Sequence, residues 1–221
     1  MEVEVVEELR RKHPGLRAPT KVVRNVRVHK SNPELEKAKR RLEEEVRRRF
    51  RLETLKDEHP FREYRDFFWK IGIDPTKIRP AGEALVRRIL RGSPLPRINT
   101  AVDAYNMASA ETGIAIAAFD ADKLHGGLVM REARPGEEFL GIGMDKPVTL
   151  KGGEIVLHDG VEVVAVYPFR DGERTKITEE TRNVLVVSCG VPGIPVDELL
   201  KALDLASEYI SRFCGAGGWT P

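Results

Sequence analysis

The sequence contains no glutamine, and only two of its 221 residues are cysteine, Cys189 and Cys214. Neither lies in a CxxC pair or near a histidine at ligand spacing, so no zinc, other metal or cofactor is expected. A reduced, cytoplasmic setting fits best. Also missing is any run approaching the roughly eighteen apolar residues that span a bilayer. The start, MEVEVVEELRRKHPG, lacks the basic opening and apolar stretch of a signal peptide. A soluble, unprocessed chain without membrane contact is therefore expected. There is no phosphate-cradling GxxxxGK(S/T), and Gly141-Ile142-Gly143 lacks the third glycine and the helix of a dinucleotide fingerprint. Neither GxSxG nor a cysteine with a histidine base is present. The five histidines, His13, His29, His59, His125 and His158, are scattered through turns and strand ends and read as structural.

What the sequence does hold is charge: 33% of residues are Asp, Glu, Lys or Arg, above the usual quarter, beside 41% hydrophobic residues. The signs nearly cancel, at +2, which argues against coating nucleic acid by bulk electrostatics while leaving a local basic face open. Abundant Glu, Lys and Arg with few thermolabile residues is the bias of proteins that work hot.

Apolar periodicity and turn residues divide the chain. A short helix is expected over Val5 to Lys12, a strand over Lys21 to His29, and a long helix capped by Asn32 with Pro33 at its first position, running to about Leu55. That helix carries a narrow stripe of Leu35, Leu42, Val46 and Phe50. Glu43, Glu44 and Glu45 each stand four residues before Arg47, Arg48 and Arg49, a spacing that laces a solvated face with ion pairs. The alternative use of Arg47, Arg48 and Arg49 is a surface that tracks RNA phosphates. A second helix, Pro60 to Ile71, has Phe61, Tyr64, Phe67 and Phe68 at core spacing; a third follows Arg79-Pro80 and ends at Gly92; a fourth spans Ala101 to Ala110. Strands are expected at 114–119, 128–133, 139–142, 154–158, 161–167 and 184–189, with Asp159-Gly160 as a hairpin turn. A last helix, Val196 to Phe213, precedes a tail, GAGGWTP, expected to be loose. The order predicts an α+β fold as one domain, 1–221: a helical N-terminal part (1–78), a layered, sandwich-like sheet core with helices on one side (79–190), and a C-terminal helix and tail (191–221).

The polar residues that stand out are Arg79, Asp103, Tyr105, Asn106, Ser109, Asp120 and Arg131, then the run from Arg170 to Lys176. Such groups generate no strong nucleophile, but they can position water and stabilise an oxyanion, which suffices for an activated substrate such as an ester. The structural reading of Asp103 and Asn106 is helix capping and buried hydrogen bonding, and that of Arg170-Asp171-Gly172 is a plain turn.

In order along the chain, VDAYN, AAFDADKL, VMREARPGEEF, GEIVLHDG and DGERTKITEETRNVLVVSCG make residues 79–190 similar to the tRNA-editing domain of the bacterial-type phenylalanyl-tRNA synthetase beta subunit. The resemblance implies hydrolysis of an amino acid wrongly esterified to tRNA, with the acylated 3′ end as partner. It carries the family's substrate-binding carboxylate to Glu173 and its motif asparagine to Asn106. Tyr105 stands where the family has a threonine, and Ala117 where it has a histidine near the ester. The expected catalytic residues are thus Asn106, Tyr105 and Asp103, and the expected substrate-binding residues are Glu173, Arg170, Ala117, Ser109 and Arg79. A trans-acting aminoacyl-tRNA deacylase is the leading expectation. A non-catalytic tRNA-binding module with the same fold and a pocket for a free amino-acid derivative are the alternatives.

Overall fold

The computed structural model describes residues 3–215. The first elements are a two-residue strand β1 (Glu4–Val5), a short helix α1 (Glu7–Lys12) and a strand β2 (Thr20–Val23). The strand expected to continue to His29 stops at Val23, because Asn25 turns into the left-handed region at φ 56°. Helix α2 (Pro33–Arg49) starts as predicted: the Asn32 side chain accepts from Glu34 N and Leu35 N, and Pro33 occupies the first turn. It ends six residues before the expected Leu55. Phe50 leaves the helix in an extended conformation to bury its ring, and a single 3₁₀ turn at Leu55–Asp57 follows.

Helices α3 (Phe61–Lys70), α4 (Ala81–Leu90) and α5 (Thr100–Thr112) come next. In α3 the aromatic stripe is core, with Phe61, Tyr64, Phe67 and Phe68 all buried. The strands are β3 (Ile116–Asp120), β4 (Val129–Glu132), β5 (Glu138–Phe139), β6 (Val148–Thr149), β7 (Ile155–His158), β8 (Val163–Val166), β9 (Arg170–Asp171) and β10 (Val184–Ser188). The strand expected over 139–142 is only the two-residue β5, since Gly141 and Ile142 instead receive the backbone of 171–172. Short β1, β6 and β9 carry too few residues to show a period. Helix α6 (Val196–Cys214) closes the described chain, and the tail from Ala216 onward lies outside the described residues.

These elements stack as an α+β fold. An antiparallel sheet in the order β2-β10-β3 sits beneath α5 and α6, with Ala117 paired to Val187 and Ala118 to Val186. All five residues of β3 are buried, as expected for a strand covered on both faces. On its far side lies a second sheet, β1-β4-β7-β8-β9, parallel only at β1-β4. Met130, Leu157 and Ala165 of that sheet share the main core with Ala117 and Phe119, while Val156 and Val163 face a smaller core against Phe139 and Leu150 of the β5-β6 ribbon. The β7-β8 hairpin turns at Asp159-Gly160, where one Asp159 oxygen accepts from Val161 N and Glu162 N, both at 3.1 Å.

Candidate functional site

Where the two sheets meet, they leave a cavity of about 70 Å³. Its walls are mostly small and apolar: Ala81 at the start of α4, Ala115 and Ala117 at β3, Leu157 on β7, and Ala165 on β8. Two buried tyrosines brace the surrounding backbone. The Tyr64 hydroxyl donates to Cys189 O at 2.6 Å and accepts from Ala115 N at 3.0 Å, and the Tyr167 hydroxyl donates to Gly190 O at 2.7 Å. Both phenols are pushed far up by burial, so they remain neutral donors.

The polar groups at this cavity come from β9, which brings Arg170 and Asp171 to its edge. Gly172 permits this: its N–H donates to Val164 O at 2.7 Å, and a Cβ there would lie 2.8 Å from that oxygen. Only a bare backbone lets the strand end lie so close against β8. The Arg170 guanidinium turns outward and donates to Ile142 O at 3.4 Å. The Asp171 carboxyl makes no hydrogen bond or ion pair among the described residues, and burial alone raises it to about 7. Its field reaches the Tyr105 phenol and the Cys189 thiol, both raised chiefly by their own burial. Cys189 is therefore an unreactive thiol in this setting.

The sequence-predicted residues divide among several places. At about 100° of rotation per residue, Asp103 and Tyr105 leave α5 on opposite sides. Asp103 is buried against α2, where it accepts from Lys39 Nζ at 2.8 Å and from Ile98 N at 2.8 Å. Lys39 also donates to Pro96 O at 2.7 Å and to Glu36 at 3.1 Å, so the pair is a structural clamp between helices and loop. Tyr105 is half-buried, its phenol feels both Asp171 and Asp103, and neither it nor Asn106 is among the residues that line the inter-sheet cavity. Asn106 is half-buried and its amide has no partner among the described residues. Ser109 donates to Ile114 O at 2.6 Å and fastens the turn between α5 and β3.

Ala117 and Arg170 line one cavity, but Glu173 does not join them. It pairs with Lys176 and lines a separate groove of about 330 Å³ with Glu138, Glu162, Arg174 and Thr175. Asn106 lines neither the inter-sheet cavity nor the Glu173 groove. Asp171, which the sequence offers only within the run from Arg170 to Lys176 and not as a site residue of its own, is the acid that this cavity singles out. Its two-residue strand carries no periodic signal, and only sheet pairing reveals which way it faces.

Arg79 lies elsewhere again. With Arg87, Arg88, Arg91 and Ser93 it lines an open groove of about 440 Å³ that contains no acidic side chain. Arg87 is held at 2.6 Å by buried Glu83, and Arg88 donates to Pro94 O at 2.5 Å. Of the three α2 arginines expected to meet RNA, Arg47 donates to Ile89 O at 3.4 Å, and Arg49 donates to Glu111 O at 3.0 Å and lies over the Phe50 ring. Arg48 is exposed beside Glu44 at 3.5 Å. The predicted i,i+4 pairs Glu43–Arg47 and Glu44–Arg48 are present, whereas Arg49 turns away from Glu45.

Comparison with known proteins agrees with the motif order. Over 142 residues the chain is 38% identical to the phenylalanine–tRNA ligase beta subunit of Nocardia farcinica, covering 64% of this chain and 16% of that protein. It is 35% identical over 142 residues to the same subunit of Geobacter metallireducens, again covering 64% of this chain and 18% of the relative. The chain thus spans less than a fifth of the length of these curated relatives. Among solved structures, an N-terminal fragment of the phenylalanyl-tRNA synthetase beta-subunit from Pyrococcus horikoshii superposes with a TM-score of 0.48 at 15% identity, covering 95% of this chain and 48% of that one. The B3/4 domain family model matches residues 63–215, and the chain belongs to the B3/4 domain family.

Proposed function

We propose that this protein is an aminoacyl-tRNA deacylase that hydrolyses a misplaced amino acid from the 3′ end of tRNA in trans. One observation carries the reading beyond family membership. Helix α4 contributes Ala81 to the wall of the inter-sheet cavity, while Arg79, Arg87, Arg88 and Arg91 on and around the same helix line an acid-free groove. A small enclosed pocket beside a cationic track suits a polyanion that ends in a small acyl group.

In this reading the aminoacyl group enters between β3 and β8, under Ala117, and the acceptor-end phosphates lie along α4. Tyr105 acts as a hydrogen-bond donor, because burial keeps its phenol protonated at neutral pH. Asn106 contributes an uncommitted amide that orients water at the ester. Asp103 supports α5 through Lys39 and does not enter the chemistry. Glu173 and Arg170 contact the substrate from outside the cavity, at the rim and the neighbouring groove. An aminoacyl ester is activated enough that water held by such groups, with hydrogen bonds to the developing oxyanion, completes the hydrolysis.

The direct test is release of free amino acid from a panel of mischarged tRNAs by the purified protein. Release above a buffer control for at least one pair, lowered tenfold or more by Tyr105→Phe, is expected. No release from any pair ends the hydrolase reading. Salt-sensitive binding that ignores acylation would then favour a non-catalytic tRNA-binding module.

A further inference from the structure

The inter-sheet cavity has one feature that the proposed ester hydrolysis does not use, the Asp171 carboxyl. We infer that Asp171 receives the α-ammonium group of the bound aminoacyl moiety, and that the cavity beyond it accepts only a small aliphatic side chain. The inference rests on the reading of this cavity as the seat of an aminoacyl group, and it names which amino acids fit.

Four observations support the ammonium site. Asp171 is the one acid at the edge of a mostly apolar enclosure, and it has no hydrogen bond or ion pair among the described residues. Its neighbour Arg170, the nearest cation in sequence, spends its guanidinium on Ile142 O instead. A half-buried carboxylate with no cation beside it gains a charge-assisted pair when a ligand cation arrives. The elevated proton affinity of Asp171 points the same way, since a buried acid at about 7 is poised to ionise when a cation arrives. The remaining titratable neighbours, Tyr105 and Cys189, are neutral at physiological pH and supply no competing charge.

The size limit follows from the walls. Ala81, Ala115, Ala117 and Ala165 leave about 70 Å³, whereas a cavity of about 150 Å³ is what holds a benzene ring. Ile116, Leu157, Val166, Pro168 and Phe169 add further apolar side chains to the walls. A side chain between those of alanine and valine fits; a phenyl or phenol ring does not.

The experiment titrates the wild-type protein with L-alaninamide, L-valinamide, N-acetyl-L-valinamide and L-phenylalaninamide by calorimetry, and repeats L-valinamide with Asp171→Asn. These probes carry no ester and no RNA, so the outcome does not depend on hydrolysis. The inference expects alaninamide and valinamide to bind the wild type, at least tenfold weaker binding of the N-acetyl and phenylalanine probes, and at least tenfold weaker valinamide binding by Asp171→Asn. No detectable binding of either small amide, or N-acetyl-L-valinamide binding within twofold of valinamide, overturns it. The N-acetyl comparison uses wild-type protein alone and holds even if the asparagine variant fails to fold. Binding as expected without any tRNA deacylation would leave Asp171 as an ammonium site and remove the hydrolase reading. Deacylation that is indifferent to N-acetylation and to Asp171→Asn would do the reverse.

Discussion

Two carboxyls in this protein, one buried and one half-buried, illustrate opposite uses of the same functional group. Asp103 has Lys39 at 2.8 Å and a backbone N–H at 2.8 Å, so its charge is matched within the fold. Removing it in Asp103→Ala takes away the buried partner of Lys39 and leaves the ammonium with Glu36 and Pro96 O, and a loss of up to about 3 kcal/mol is expected in urea unfolding. The double variant Lys39→Met/Asp103→Leu should recover most of that loss, because no buried charge is then left alone. Asp171 is unmatched, and its folded proton affinity lies above that of the unfolded chain. Below about pH 4 the group is protonated in both states and costs nothing. As pH rises from there to about 7, the unfolded chain releases a proton that the folded chain keeps, so stability falls across that window. Asp171→Asn should therefore raise the Tm at pH 8 and leave it nearly unchanged at pH 4, as read by thermal denaturation.

At the scale of elements, the crossing of α4 and α5 depends on a contact between two glycines. A Cβ on Gly82 would stand 2.3 Å from Gly113 O, closer than any packed atom pair tolerates, and Gly113 itself ends α5 with φ at 78°. Replacing Gly82 by alanine gains about 1 kcal/mol of helix propensity, but it forces the helices apart at a cost of about 1–3 kcal/mol. A lower urea midpoint with an unchanged m-value is expected. Because Ala81 lines the cavity, the same variant should also loosen binding of any ligand held there. The Asx turn at Asp159 works differently, as a local device: its second oxygen accepts from His125 N and pairs with Arg174, tying the hairpin to the chain on both sides. These contacts hold its carboxyl down at about 2.

Across the whole molecule, the near-zero net charge conceals an uneven surface. The arginines of α2 look the more basic run in sequence, yet Arg47 and Arg49 donate to backbone carbonyls of neighbouring helices. The acid-free groove belongs to α4 and its flanking loops. Arg88→Ala/Arg91→Ala should weaken tRNA binding and flatten its salt dependence by roughly 0.7–0.9 logarithmic units for each phosphate no longer neutralised. Arg48→Ala, by contrast, should leave both nearly unchanged, because its guanidinium is already neutralised by Glu44. A filter-binding titration at several salt concentrations distinguishes the two.

Much of this architecture is written in the sequence because its signals are local. The Asn32 cap, the aromatic stripe of α3, the Asp159-Gly160 turn and the order of helices before sheet all rest on interactions within a few residues, and each reads correctly. The motif order from VDAYN to VLVVSCG likewise identifies the family. What the chain order does not contain is which side of an element faces which neighbour. Asp103, Tyr105 and Asn106 are close enough in sequence to suggest one site, but a helix turning about 100° per residue sends Tyr105 away from Asp103, and Asp103, on the same side of α5 as Asn106, is taken up by Lys39. Glu173 and Asp171 stand on either side of Gly172, and they line different cavities. Local propensity and ordered motifs were enough for the longer helices, the main strands and the family. Only the tertiary structure decided that Asp171, brought to the cavity by the short pairing of β9 with β8, is the acid at its edge.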